Sequence, residues 1–452
     1  MASHLGMDPE RVEHVRTQAA GSFSLIENAA GRARQAAWMS LNPLSYAIQP
    51  GGFIIAPYSI GSTQLAAALA ESAVRDAEVL LARLGIEIAQ QIETSRAGSH
   101  TGVATTQSSR TRVPAVGTSA AEVAAWWHGL PSTTREQLLR EFPELLGNLD
   151  GLPADVRHDA NLTVLTSQLA DPSLDKKTRE QLELVREQLE LAQKLYPDTK
   201  IQLVLLDWSD DSYPKVALSL GDMNEADFVT PVAFGISTGI DDLAGAAKAA
   251  QSLYDEQQRL LSRGQAEGSS AVVLWLGYDS GNQATVAFDY HAIEGGKNFN
   301  RFLDGIETQN PDAYGAPAVH SYGTRMLSEA LSTGGQVDAA VMLGSPGVRD
   351  TVTHASQLNT SDGVYSTRAP QDLVASGFYR GLETFLEKPG GTNPDPNSAS
   401  WGANVFASET DRGDGWGHNL YSEDGAGGYL NQGSSALRDS ALVSLGLGER
   451  VK

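Results

Sequence analysis

The chain has 452 residues, which is long for a single domain of average size and predicts two structural units. It contains no cysteine, and this excludes disulfides, a thiol nucleophile and a cysteine-ligated metal. The formal net charge of −22 argues against nucleic acids and anionic membranes as partners. No apolar run approaches the roughly 20 residues of a membrane-spanning helix, and the N-terminus shows no ordinary signal peptide. We therefore expect a cytoplasmic protein, or one exported by another route.

The first segment predicts an α-helical hairpin over residues 1–93. Asp8-Pro9-Glu10 is typical of a helix start, and Pro50-Gly51-Gly52 ends the first helical pattern. A second pattern, with leucine and isoleucine at helical spacings, begins near Ser62. The apolar stripes of the two helices must be buried against each other, a protein partner or a second copy. A linker rich in Ser, Thr and Gly follows over 94–117.

Residues 118–200 predict a series of helices that lead into the second unit. Thr118–Glu122 resembles a capping box ahead of Trp126-Trp127. Asp175–Leu195 predicts a charged helix with leucine and valine along one face, and its charges are typical of a solvated side.

From Ile201 the pattern changes to short apolar runs separated by helical ones. The predicted strands are Ile201–Asp207, Lys215–Leu220, Phe228–Phe234, Ala271–Leu276, Ala316–Val319, Val337–Leu343 and Gly363–Thr367. The predicted helices between the later strands are Asp241–Arg263, Gly295–Thr308 and Thr324–Ser332. Strands that alternate with helices indicate the α/β class, with a mostly parallel sheet covered by helices on both faces, over 201–452.

The stretch Ala316–Gly323 predicts a strand, a sharp turn and a helix, with Ser321 at the apex. This is the arrangement of a nucleophile elbow, in which the serine hydroxyl is exposed and the amide of the next residue, Tyr322, stabilises an oxyanion. The alternative is an ordinary turn with a polar residue at the helix N-cap. The usual elbow motif has a glycine where this chain has Val319.

Two later residues complete a candidate triad. In an open parallel sheet the site lies at the carboxyl ends of the strands, and a hydrolase triad of this kind follows the order Ser, acid, His. Asp372 comes after the predicted strand Gly363–Thr367, and His418 is the one histidine beyond it. The alternatives are that Asp372 is a turn residue, that His418 is a loop residue, or that Asp362 is the acid.

The second oxyanion amide is expected in the loop after Phe228–Phe234, at Gly235 or Ile236. Leu276–Gly281 also ends a strand and is interpreted as a pocket wall. Four acids surround His418, but their spacing does not match a calcium-binding loop, so we expect neither a metal nor an organic cofactor. These acids are Asp411, Asp414, Glu423 and Asp424.

The second unit resembles a family of actinobacterial α/β-hydrolases of largely undefined physiological role. The resemblance covers most of the chain from about Thr118 and rests on five motifs. They are Val123–Trp127 with Leu130, Pro143–Pro153 with Arg157 and Ala160-Asn161, Trp275–Asp279, His320–Gly323 and Leu343–Val348. The resemblance implies an α/β-hydrolase fold and a triad on Ser321, Asp372 and His418. The chain departs from the family pattern at Val319 and at Phe234, where members tend to have proline. The first helices resemble, more loosely, the hairpins exported by type VII secretion.

The sequence therefore predicts a serine hydrolase that cleaves a small acyl ester, lipid-like or other, through an acyl-enzyme. A peptidase or amidase is the nearest catalytic alternative. A protein of another class is also consistent with the sequence, namely a secreted or surface interaction protein that binds through its hairpin and carries a catalytically weak hydrolase scaffold.

Overall fold

A computed structural model gives the structure of the chain. It describes residues 113–115, 117–209, 213–281, 289–372, 374–375, 393–408, 417–422 and 427–451. All of them fall in one compact unit, residues 110–452. The predicted hairpin over 1–93 and most of the predicted linker lie outside the described residues.

The described part begins with helices and continues with strands and helices in alternation. The leading helices are α1 (Ala120–His128), α2 (Ser132–Glu141), α3 (Pro143–Leu146), α4 (Ala154–Ala170) and α5 (Lys176–Leu195). The strands are β1 (Ile201–Asp207), β2 (Lys215–Leu220), β3 (Phe228–Ala233), β4 (Ser270–Leu276), β5 (Tyr314–Gly315), β6 (Ala318–His320), β7 (Val337–Leu343), β8 (Thr360–Thr367) and β9 (Asn404–Val405). The later helices are α6 (Leu243–Ser262), α7 (Tyr290–Gln309), α8 (Gly323–Ser332) and α9 (Ser435–Ser444). None of these helices is both long and apolar enough to span a membrane.

The strands form one mixed sheet in the order β1-β2-β4-β3-β6-β7-β8-β9, with the short β5 paired to β3. Strand β2 is antiparallel to β1 and β4, and the other pairs are parallel. This confirms the predicted class and the mostly parallel sheet. The predicted strand Ala316–Val319 is instead the shorter β6, which starts at Ala318 and is separated by Ala316-Pro317 from an additional short strand, β5. Proline has no N–H for a ladder hydrogen bond, and this accounts for the break.

Both faces of the sheet are buried, as the nearly continuous apolar runs predict. Strand β4 illustrates the alternation, since all seven of its residues are buried. Val272, Leu274 and Leu276 pack in the cluster that includes α5, α6 and α9. Val273 and Trp275 pack in the cluster that includes α7 and α8. Helices therefore cover the sheet on both sides and leave its carboxyl edge for the loops.

The free edge of β1 is covered by side chains of the leading helices rather than by a strand. Asn148 bonds both backbone groups of Leu206, accepting from its N–H at 2.8 Å and donating to its carbonyl at 2.9 Å. His158 Nδ1 accepts from Leu203 N–H at 2.9 Å, and Asn161 donates to Leu203 O at 3.1 Å. Burial lowers the pKa of His158, which favours the neutral ring that this acceptor role requires. Asn148 and Asn161 belong to the motif Pro143–Pro153 with Ala160-Asn161. This motif therefore has a structural role, which is to cover the edge of β1.

Candidate active site

Ser321 lies between β6 and α8 in a strained turn at the carboxyl edge of the sheet. Its φ of 55° is in the left-handed region, which costs a residue other than glycine about 1 kcal/mol. The turn is fixed on both sides, because Ser321 N–H donates to Leu343 O at 2.9 Å and Thr324 N–H donates to Ser321 O at 2.9 Å. The elbow geometry predicted from the sequence is thus present, and helix α8 begins two residues after the serine.

The glycine of the elbow that is closely approached is Gly323, two residues after the serine. A Cβ added at Gly323 would lie 2.9 Å from the carbonyl oxygen of Phe234. Val319 is fully buried in the cluster that contains Tyr322 and Met326, and its backbone pairs in register with both neighbouring strands. The valine is therefore accommodated without loss of the strand-turn-helix geometry.

The structure brings the three predicted triad residues together. His418 Nε2 lies 2.5 Å from Ser321 Oγ. On the other side of the ring, His418 Nδ1 lies 2.8 Å from Asp372 Oδ2 and 3.0 Å from Oδ1. Asp372 follows β8. The segment that carries His418 is held by two backbone hydrogen bonds, from Tyr429 N–H to Asn419 O at 3.1 Å and from Leu430 N–H to Leu420 O at 2.8 Å. The imidazole thus lies between a hydroxyl and a carboxylate, which suits it to move a proton.

Asp372 is fully buried and accepts several hydrogen bonds. Burial acts to raise its pKa, but the bond and charge of His418, the amide of Ala375 at 2.8 Å and the hydroxyl of Tyr429 at 2.7 Å together hold the pKa below the ordinary aspartate value. Tyr429 O–H also accepts from the amide of Ala369 at 3.0 Å. Sequence analysis missed Tyr429, because it lies in a Gly-rich loop 57 residues after Asp372 with no motif of its own.

We expect Tyr429→Phe to lower the free energy of unfolding at pH 7 by about 1–3 kcal/mol, because the variant leaves the buried amide of Ala369 unpaired. It also removes a donor to Asp372. A lowered pKa stabilises the fold above the ordinary aspartate value of about 3.9, and this contribution is lost as the pH falls through the folded-state pKa. The difference between parent and variant should therefore narrow only below the ordinary aspartate value, which urea unfolding at pH 7 and at about pH 2.5 would measure.

The matched control is Tyr314→Phe, which removes an exposed tyrosine bond to Asp362 at the opposite end of β8. Its effect should be smaller than that of Tyr429→Phe. A Tyr429→Phe deficit of the same size at both pH values would contradict the role assigned to the tyrosine hydroxyl.

His320, immediately before the serine, is a buried neighbour of the proposed base. Its ring centroid is 4.8 Å from that of His418 and 5.7 Å from that of Tyr429. Burial, followed by the charge of His418, lowers its pKa well below the ordinary histidine value. A neutral His320 adds no positive charge beside His418 and leaves that ring as the one suited to accept a proton.

The loop after β3 lies against the serine, as expected for the second oxyanion amide. A Cβ added at Gly235 would lie 2.6 Å from Ser321 Cβ and 2.9 Å from Oγ. Among the described residues, the amides of Gly235 and Ile236 have no backbone acceptor. Ser237 has a φ of 58°, and its N–H donates to Gly281 O at 2.9 Å. The loop is therefore held close to the nucleophile in a strained conformation.

Two tyrosines anchor the same loop. Tyr278 O–H donates to Phe234 O at 2.8 Å, and Tyr213 O–H donates to Thr238 O. Tyr213 also lies 3.3 Å from Ser280 Oγ. The predicted pocket wall Leu276–Gly281 thus contacts this loop directly through Tyr278 and Gly281, and Ser280 contacts Tyr213, which anchors the loop. Sequence analysis did not single out Tyr213, since its partners are 25 and 67 residues away.

The remaining candidates lie elsewhere. Asp362 is at the start of β8, bonded to Tyr314, and so at the opposite end of the strand from Asp372. The acids Asp411, Asp414, Glu423 and Asp424 are outside the described residues. Within the described ranges, no group of three or more histidine and carboxylate side chains is arranged to hold a metal ion.

Comparison with known proteins gives a match to the family model described as alpha/beta hydrolase over residues 211–379. An uncharacterized protein of Mycobacterium tuberculosis is 25% identical over 392 residues, which cover 75% of this chain and 58% of that protein. An uncharacterized protein of Mycobacterium bovis is 32% identical over 168 residues, covering 36% and 62%. This chain thus spans less than two thirds of the length of either relative. The strand order, the antiparallel β2 and the family match identify the α/β-hydrolase fold.

Solved structures of low identity are also similar. A dienelactone hydrolase-like promiscuous phosphotriesterase from metagenomic libraries is 14% identical with a TM-score of 0.32, covering 56% of this chain and 98% of that one. Esterase 2 of Thermogutta terrifontis is 11% identical with a TM-score of 0.30, covering 56% and 96%. An acylaminoacyl peptidase of Pyrococcus horikoshii is 12% identical with a TM-score of 0.31, covering 58% and 43%. Each of these activities is that of the similar protein.

Proposed function

We propose that this protein is a serine hydrolase that cleaves an acyl ester through a covalent acyl-enzyme. The observation that carries the proposal is the contact of His418 Nε2 with Ser321 Oγ at 2.5 Å, with Asp372 on the other ring nitrogen. A serine hydroxyl is a weak nucleophile until an adjacent base takes its proton, and this pair of contacts supplies the base and the group that orients it.

In the proposed reaction, Ser321 Oγ attacks the carbonyl carbon of the ester while His418 takes the hydroxyl proton on Nε2. Collapse of the tetrahedral intermediate breaks the bond to the leaving alcohol, which receives that proton. Water then attacks the acyl-enzyme, again giving its proton to His418, and releases the acid as Ser321 regains its hydrogen. Asp372 keeps the proton of the resting imidazole on Nδ1 and stabilises the imidazolium that forms in each step.

The developing oxyanion is assigned to the amide of Tyr322 and to one amide of the loop after β3, at Gly235 or Ile236. This assignment is supported by the closeness of Gly235 to Ser321 and by the position of the serine at the start of α8, where a helix favours negative charge. Donors fixed before the reaction lower the barrier more than donors that must reorganise.

Tyr213→Phe tests the preorganisation of that loop, because the variant loses the hydroxyl that bonds Thr238 O and keeps the ring. We expect kcat to fall by about tenfold, roughly the value of one neutral hydrogen bond, with little change in KM. The affinity for a trifluoroketone, which mimics the tetrahedral intermediate, should fall in parallel. A change in KM alone, with unchanged trifluoroketone binding, would show that Tyr213 does not act through the oxyanion loop.

The proposal is tested by labelling the protein with a fluorophosphonate probe and by assaying 4-nitrophenyl esters of several acyl lengths beside peptide anilides. Labelling at Ser321 with ester turnover supports the esterase. Anilide turnover that exceeds ester turnover would favour the peptidase or amidase alternative. A cooperative unfolding transition shows that the protein is folded. If folded protein is not labelled, the result favours the second class of function, an interaction protein with a catalytically weak scaffold.

A further inference from the structure

A cleft lined by arginines lies at the end of the sheet opposite to Ser321. Helix α6 connects the carboxyl end of β3 with the start of β4, so its last turn lies at the amino edge of the parallel strands. The cleft forms where this turn meets α9 and the 3-10 turn Gly448–Arg450, and its volume is about 200 Å³. We propose that the cleft binds a small multivalent oxyanion of the phosphate type, independently of the hydrolytic site.

The lining of the cleft is chemically one-sided. Its polar side chains are Arg259, Arg263, Gln265, Arg438 and Arg450. No carboxylate lines it, although the chain has 55 acidic residues against 33 basic ones. Four guanidinium groups thus face one cleft of an acidic protein, and a bound anion would be attracted to their positive charge.

Helix electrostatics account for only part of this arrangement. Arg259 and Arg263 lie at the carboxyl end of α6, where a positive charge is favourable. Arg438 lies in the first turn of α9, where the helix dipole disfavours a positive charge. Arg438 is therefore stabilised by its ion pair with Asp439 at 3.5 Å rather than by its own helix, and it lies beside the other arginines of the cleft.

Ion pairs engage three of the four arginines. Arg259 pairs with Glu256, Arg438 with Asp439 and Arg450 with Glu449, and none of these carboxylates lines the cleft. Arg450 Nη1 also donates at 3.1 Å to the side chain of Gln265, which lines the cleft. Arg263 is exposed and forms no ion pair with any described residue. A guanidinium group without an ion pair, beside three others, suits an anion that accepts several bonds at once.

The cleft has room for a small anion. A phosphate or pyrophosphate group fits its volume of about 200 Å³. The oxyanion is either free or the headgroup of a lipid, and the chemistry that recognises it is the same.

The test is isothermal titration of the full chain with inorganic pyrophosphate at an ionic strength held constant with chloride. We expect saturable binding that weakens at least tenfold in the double variant Arg263→Gln/Arg438→Gln. Arg186→Gln, at an exposed ion pair on α5, is the matched control and should bind as the parent does. If the double variant does not fold, the single variant Arg263→Gln at the exposed, unpaired position should still weaken binding.

Sedimentation with phosphatidylcholine vesicles, with and without phosphatidic acid, separates the two sources. Capture by phosphatidic acid that the double variant loses identifies a lipid headgroup, and pyrophosphate binding without capture identifies a free phosphate compound. Absence of pyrophosphate binding, or binding that the variants do not change, would overturn the proposal. Fluorophosphonate labelling of Ser321 should be the same in all variants, so the failure of this proposal is distinct from that of the hydrolase.

Discussion

Replacing Ser321 by alanine is expected to lower ester turnover by at least about a thousandfold and to abolish fluorophosphonate labelling. The substitution removes the atom that His418 contacts and that attacks the acyl carbon in the proposed reaction, while the proposed oxyanion amides stay in place. Residual catalysis by those parts is typical of triad enzymes that lose one member. Steady-state rates on the best ester found, with gel detection of the probe, measure both effects.

Two serines provide controls for this experiment. Ser332→Ala changes an exposed hydroxyl at the end of the same helix, where its bond to Glu329 O is local. Ser280→Ala changes a serine that follows β4 and directly precedes Gly281. Both variants should keep the label. A protein that loses the label in Ser280→Ala and retains it in Ser321→Ala would show that the nucleophile had been assigned to the wrong turn.

Asp372→Asn is expected to lower kcat by about 10³–10⁴ with little change in the fold. Ala375 and Tyr429 donate to different oxygens of Asp372, so the asparagine carbonyl can keep the bond from Ala375 N–H at the Oδ1 position, while its NH₂ group at the Oδ2 position faces Tyr429 and donates to His418 Nδ1. That bond moves the imidazole proton to Nε2, so the ring can no longer accept a proton from Ser321. The loss should appear in kcat, since the substrate does not contact this carboxylate.

Asp362→Asn is the control for the acid. Asp362 lies near the start of β8, whereas Asp372 lies beyond its carboxyl end. Its turnover should stay within about twofold of the parent. Circular dichroism and thermal unfolding establish that each variant is folded before rates are compared. Normal turnover in Asp372→Asn would refute the assignment of this carboxylate as the partner of His418.

Chain order made the three triad positions accessible to sequence analysis. The sequence shows a serine at a strand-turn-helix junction, then an acid after a later strand, then a single histidine. Each of these can be found from neighbouring residues or from the order along the chain, and the sheet topology then determines where they lie. Tyr429 and Tyr213 had no such signal, since each acts through contacts with residues far away in the chain. The same is true of His320, whose environment depends on the return of the His418 loop.

The strands were predicted where apolar periodicity is strong. The boundaries of β1, β2 and β7 agree with the predicted ones because these strands are buried on both faces. Strand β9 has two exposed residues and no apolar pattern. It is a strand because it pairs with β8, and its own sequence does not predict it. Helix α9 follows the glycine-rich tail and was also not predicted.

The side chains that bond the backbone of β1 protect the protein from self-association through its sheet. An uncovered edge strand is a template onto which the edge of another molecule can add, and this is a common start of aggregation. At the other end of the sheet, β9 is too short to offer such a template. A fragment beginning at Ile201 would carry every residue of the proposed triad and yet expose the donors and acceptors of Leu203 and Leu206. We therefore expect the smallest fragment that resists this association to include the segments that supply Asn148, His158 and Asn161.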